Sequence, residues 1–228
     1  MHTLALGIGL LLTLSPQGGT VTREIVQSKE NFYKATATYL EFTSHPLRTT
    51  INPVLAQIAK NRQNLWVNSV KNSLPATPPT APWEHEIGME VAYLTPELLS
   101  ILISRYEYSG GAHPNHGVEA VNFGIVAGKA KRLTIADFFE PGFNYRKHIS
   151  AKVLAILRRA EGADWVKNGD VKSLDEKMVQ RFTVAANGLT WHFNPYDVGP
   201  YAAGDFEVKL SVEQLGLKFR KSLLFSKS

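Results

Sequence analysis

The chain has 228 residues, 44% hydrophobic and 20% charged, enough for one globular domain or a domain with a smaller subdomain. It contains no cysteine, which excludes disulfides, thiolate chemistry and cysteine-type zinc sites. The net charge of +5 is scattered, with no Lys/Arg run longer than two; this argues against nucleic acid and suits either an anionic surface or plain solubility.

The first apolar stretch, Leu4–Leu14, carries no charge and is followed by Ser15-Pro16-Gln17-Gly18-Gly19. It has the length of a signal-peptide core and falls short of the roughly 20 residues a spanning helix needs. Residues 1–19 are therefore expected to be an export signal, with a periplasmic or extracellular destination and no spanning membrane segment. The basic residues that usually precede such a core are missing, and a buried N-terminal strand is the other reading of the same run.

From Thr20 to Phe42, β-branched and aromatic residues alternate with charges and read as strand. Ile51-Asn52-Pro53 predicts a helix start, with Asn52 as cap and Pro53 at the first helical position. Leu55, Ile58, Leu65, Trp66 and Val70 fall near helical spacing and predict the inward face. Residues 20–74 thus read as a small N-terminal α/β subdomain. Four prolines lie between Pro75 and Pro82, so 75–82 is expected to be an extended connector and a boundary.

Strands are expected over Trp83–Leu94, Leu98–Tyr108 and Val118–Val126, with turns at Thr95-Pro96-Glu97 and Gly128-Lys129. Leu133–Phe139 reads as one capped helical turn carrying Thr134 and Asp137. A helix is predicted with Ile149, Val153, Ile156, Leu157 and Ala160 inward and Gly162 as its stop. Ser173–Glu176 matches a capping box, and Asn187-Gly188 predicts a hairpin between Arg181–Ala186 and Leu189–Phe193. The fold class expected from this order is α+β, an antiparallel sheet packed with helices beside the smaller N-terminal subdomain. No Gly-x-Gly-x-x-Gly or Walker sequence occurs, and no cofactor is expected.

Two loops hold the candidate ligand-binding residues. The first follows Tyr108 and contains Gly110, Gly111, His113 and His116. Its two imidazoles could share a metal completed by His192 or an Asp; the simpler reading is a tight turn with a local hydrogen bond from His113. The second contains Tyr196, Asp197 and Tyr201 in an aromatic, Pro-rich segment that suits recognition, or that pins the loop to the sheet. No Gly-x-Ser-x-Gly elbow, Ser-x-x-Lys set or paired-acid cleft is visible, so no catalytic residue and no metal ligand is assigned.

Three segments closely resemble the RsiV-type domain: Tyr106–His113 with Asn122-Phe123, Leu133–Phe139, and Gly188–Gly204. The resemblance spans about residues 83–215, and residues 38–70 resemble the smaller domain that often precedes it. In that family the domain forms the outer part of lysozyme-sensing anti-sigma factors and accompanies the catalytic domain of some peptidoglycan deacetylases. The resemblance implies a binding module without catalytic residues of its own, acting at the cell envelope on a wall glycan or an envelope protein. A metal-dependent hydrolase or deacetylase of peptidoglycan using His113 and His116 is the alternative.

Overall fold

In a computed structural model of the chain the described residues are 19–224. The expected export signal therefore lies outside them, apart from Gly19.

Strands β1 (Thr20–Lys29) and β2 (Tyr33–Phe42) form a hairpin registered from Thr20↔Phe42 to Lys29↔Tyr33. Asn31 turns the chain with φ 61°, a left-handed conformation that Asn tolerates. Helix α1 (Arg48–Lys71) follows, and the Pro-rich segment leads into β3 (Trp83–Thr95). β3 lies parallel to β2, from Tyr33↔Trp83 to Ala37↔Ile87. Parallel neighbours need a long crossover, and α1 with residues 72–82 supplies it. The sheet expected to be antiparallel is thus mixed. Strands β4 (Leu98–Tyr108), β5 (Asn115–Val126) and β6 (Lys129–Leu133) complete the order β1-β2-β3-β4-β5-β6. The β5–β6 turn places both Ala127 (φ 51°) and Gly128 (φ 75°) in the left-handed region, as a two-residue hairpin loop requires.

Helix α2 (Tyr145–Leu157) and the short helices α3 (Asp164–Lys167) and α4 (Glu176–Gln180) come next. A second, three-stranded antiparallel sheet follows: β7 (Phe182–Ala185), β8 (Gly188–Phe193) and β9 (Phe206–Ser211). The α+β class expected from the sequence is what the chain adopts.

The residues group into two compact units: those up to Glu90 with Ile103–His116, and Val91–Leu102 with Gly117 onward. The Pro-rich segment joins α1 to β3 inside the first. There, α1 buries Ile51, Leu55, Ala59, Gln63, Val67 and Val70 at three- and four-residue spacing. Leu65, expected inward, is 63% exposed; it is two residues, about 200°, around the helix from Gln63. Gln63 is wholly buried and fully bonded. Its amide donates to the carbonyls of Ile25 (2.7 Å) and Ala35 (2.9 Å) and accepts from Gln27 (2.8 Å). The helix also begins earlier than predicted, at Arg48, which leaves Pro53 inside it. Asn52 does not cap it. Instead, its amide accepts from the Phe42 backbone N–H (3.0 Å) and donates to the Phe42 carbonyl (2.9 Å), fastening the end of β2.

The second unit is built around Trp191, Phe182, Phe138, Phe139 and the inward face of α2. Ile149, Val153 and Leu157 are buried as expected, whereas Ile156 is 37% exposed and Leu154 takes the inward place. Asn144 caps α2 by accepting from Lys147 N (3.1 Å). The cap of α4 is Asp175, which accepts from Met178 N (2.8 Å), and not Ser173. The β7–β8 hairpin turns at Ala186-Asn187, because Ala185 pairs with Gly188. Gly188 is needed for another reason: a Cβ there would run into the Leu210 carbonyl on β9.

Candidate functional site

Each sequence-predicted loop falls in a different unit, and each has its own geometry. In the first unit β4 ends at Tyr108 and the chain turns through Gly110 at φ 81°. A Cβ at Gly110 would lie 2.9 Å from Trp83 Nε1, so glycine is required on both counts. Gly111 is exposed and has room for a side chain. His113 is exposed and its Nδ1 donates to the Pro114 carbonyl at 2.9 Å; a carbonyl only accepts, so Nδ1 carries the proton.

His116 has a different setting. It lines a cleft of about 470 Å³ with Thr36 and Thr38 of β2, Glu86 and Gly88 of β3, and Ser104 and Tyr106 of β4. Strand alternation produces this surface. On β2, Tyr33, Ala35 and Ala37 are buried, while Thr36 and Thr38, which alternate with them, point the other way. A Cβ at Gly88 would lie 2.7 Å from Ser104 Oγ, so glycine lets β3 and β4 present a low floor. Ile87 and Arg105 also line it, so the walls carry hydroxyls, one carboxylate, one guanidinium, one imidazole and one phenol, groups that hydrogen-bond a polyhydroxylated ligand, beside one aliphatic side chain. Of these residues only His116 is among the candidate ligand-binding residues of the sequence, and Tyr106 enters there only as part of the RsiV-type resemblance. The others are scattered over three strands, β2, β3 and β4, and share no local motif.

Elsewhere in the first unit, His85 is buried with its ring stacked on Trp66, centroids 5.0 Å apart. Burial pushes its pKa down to about 4, against the opposing pull of Glu107 and with a further push from Arg105. Arg105 and Glu107 themselves pair at 2.7 Å. His85 Nδ1 is a buried nitrogen without a hydrogen-bond partner.

In the second unit the loop after β8 is fixed from several sides. Asn194 accepts from Val118 N (2.8 Å) and donates to the Val118 carbonyl (3.2 Å). The Asp197 carboxylate accepts from Asn194 N (2.7 Å) and pairs with Arg181, whose side chain is only 13% exposed. Asp197 is thus engaged in holding the loop. Tyr196 is 55% exposed at φ 71°; its ring stacks on Trp165 (6.4 Å) and meets Tyr201 (5.7 Å). Trp165 completes this aromatic group and was not anticipated, since it belongs to α3, distant in sequence. A hydrogen bond from Trp165 N to the Val198 carbonyl (3.2 Å) joins the two segments.

His192, the suggested third metal ligand, lies in this unit, with Nε2 2.8 Å from the Thr183 hydroxyl and Nδ1 3.2 Å from Glu207. Among the described residues no three His, Cys, Asp or Glu side chains converge as a metal ion would need. Nor is any described helix long and apolar enough to cross a membrane.

Comparison with known proteins divides the chain similarly. Residues 26–116 match the family model described as Deacetylase PdaC, and residues 136–213 match that of a protein family of unknown function, DUF3298. The chain is similar in structure to a DUF3298 family member from Bacteroides fragilis, with TM-score 0.58 and 16% identity over 92% of this chain and 99% of that one. It is likewise similar to a DUF3298 family protein from Pseudomonas aeruginosa, with TM-score 0.56 and 18% identity over 94% of this chain and 93% of that one. At such identities the likeness is one of fold. No curated protein matches the chain. The cleft residues, Thr36 to His116, all fall within the PdaC-matched segment, and Trp165, Tyr196 and Tyr201 fall within the DUF3298-matched one.

Proposed function

We propose that the chain is an exported binding module of the bacterial cell envelope, and that its first unit takes a wall glycan in the cleft between Thr36 and His116. The observation that carries this reading is the chemistry of the cleft. Thr36, Thr38, Ser104 and Tyr106 offer hydroxyls, Glu86 accepts, and Tyr106 adds an aromatic face for the apolar side of a sugar ring. Tyr108, Gly110, Gly111 and His113 belong to the same β4–β5 connection that delivers His116. Export is supported by the uncharged run Leu4–Leu14, and the envelope by the RsiV-type resemblance.

Titration with peptidoglycan fragments and chitooligosaccharides tests it. Tyr106→Ala and Glu86→Gln should each weaken binding about tenfold, near 1.4 kcal/mol. Folded variants with unchanged affinity would remove the cleft from the proposal. Loss of glycan binding on Tyr196→Ala/Tyr201→Ala instead would move glycan recognition to the aromatic group of the second unit, and absence of glycan binding in the parent protein would favour an envelope protein as partner.

A second reading rests on the description of the family model matched by residues 26–116, a deacetylase, together with Glu86 and His116 lining one cleft. Under that reading the same fragments release acetate, and His116→Ala abolishes the release. The binding-module reading expects capture without any product.

A further inference from the structure

Helix α2 gathers charge in a way the rest of the chain does not. From Tyr145 to Ala160 the helix and the turn that ends it carry Arg146, Lys147, Lys152, Arg158 and Arg159 with no Asp or Glu, as many positive charges as the net +5 of the whole protein. Part of this helix borders a cleft of about 480 Å³ in the second unit. Arg146 and Lys147 stand at one end of the lining stripe and Arg158 at the other. Ser150, Ala151 and Leu154 lie between them, and Lys172 lines the cleft from the segment after α3. That segment is tied to the helix: Ser150 Oγ accepts from Leu174 N at 3.1 Å. Arg146 also meets Glu176 at 3.2 Å, but both side chains are more than half exposed, so the pair gives way readily to a competing anion.

We infer that this cleft is a binding site for a linear anionic polysaccharide, separate from the glycan cleft of the first unit. Arg146 and Arg158 are twelve residues apart, about 18 Å along the helix, which suits a chain bearing repeated charges better than a single anion. Among the described residues no aromatic side chain lines the cleft, so nucleic-acid bases would find no stacking platform there. A carboxylated or sulfated glycan needs only the cations and the open cleft.

The full chain is titrated with labelled polygalacturonate and heparin across a salt series, with single-stranded DNA and inorganic phosphate as competitors. Both glycans should bind, with affinity falling steeply as salt rises. Arg146→Gln/Arg158→Gln should weaken binding at least tenfold and reduce the log–log salt slope by about 2. Lys60→Gln/Lys71→Gln, an equal charge loss on α1, should leave affinity within about twofold. An equal loss in both double variants would overturn the site in favour of general charge. Single-stranded DNA binding as tightly as the glycans would overturn it in favour of nucleic acid, and displacement by equimolar phosphate in favour of a single-anion pocket. Titration with uncharged chitooligosaccharide on the same variants keeps this result distinct from that of the first unit's cleft.

Discussion

His85 shows how one residue couples burial to pH. Its ring is buried on β3, stacked on Trp66, and remains neutral because a charge there would lose its hydration. In the unfolded chain it would take up a proton near pH 6.5, whereas the folded protein resists until about pH 4. Between those values the unfolded state binds more protons, so stability falls as pH falls, and the loss levels off below the folded pKa. The gap corresponds to about 3 kcal/mol at pH 4. His85→Phe keeps an aromatic ring against Trp66 and removes both the titration and the unpartnered Nδ1. Urea unfolding at pH 7 and pH 4 should show the variant gaining about 3 kcal/mol on the parent protein over that interval. A pH-independent difference between the two would mean that the imidazole is hydrated or paired in solution.

At the scale of elements, the loop after β8 depends on a polar brace and not on apolar packing alone. Asp197 joins the Arg181 guanidinium to the Asn194 backbone, and Arg181 also reaches the His192 carbonyl at 3.4 Å. Asp197→Ala should therefore cost about 2–3 kcal/mol, most of it from leaving Arg181 unpaired in a largely buried position. A double-mutant cycle with Arg181→Met checks this; a coupling below about 0.3 kcal/mol would mean that the two charges act independently.

The same elements show what could be read from the chain. Leu98–Tyr108 was legible to the residue, because a long apolar strand bounded by turn residues needs no partner to be seen. The start of α1 was not: Asn52-Pro53 has the chemistry of a helix start, yet Asn52 serves β2 and the helix extends one turn further back. The strand β9 has clean alternation at Phe206, Val208 and Leu210, but over only six residues after a Gly- and Pro-rich loop. The parallel pairing of β2 and β3, and the polar cleft with its contributions from four strands, depend on which distant segments become neighbours. Local spacing does not carry that information.

For the whole molecule, strands β3, β4 and β5 matter most, since each contributes residues to both compact units. β3 changes unit after Glu90, β4 after Leu102 and β5 after His116. A strand that loses its ladder of hydrogen bonds in one unit leaves the next residues of the same strand at a frayed end. Three such continuities oppose independent melting, and they predict one cooperative transition for the described fold. The four tryptophans allow a direct check, because Trp66 and Trp83 report on the first unit and Trp165 and Trp191 on the second. Urea denaturation followed by fluorescence in variants retaining Trp83 alone or Trp191 alone should give midpoints that coincide with the far-UV signal of the same variant. If the two probes separated by more than their fitting error, the units would be folding independently, and the shared strands would be connections without energetic weight.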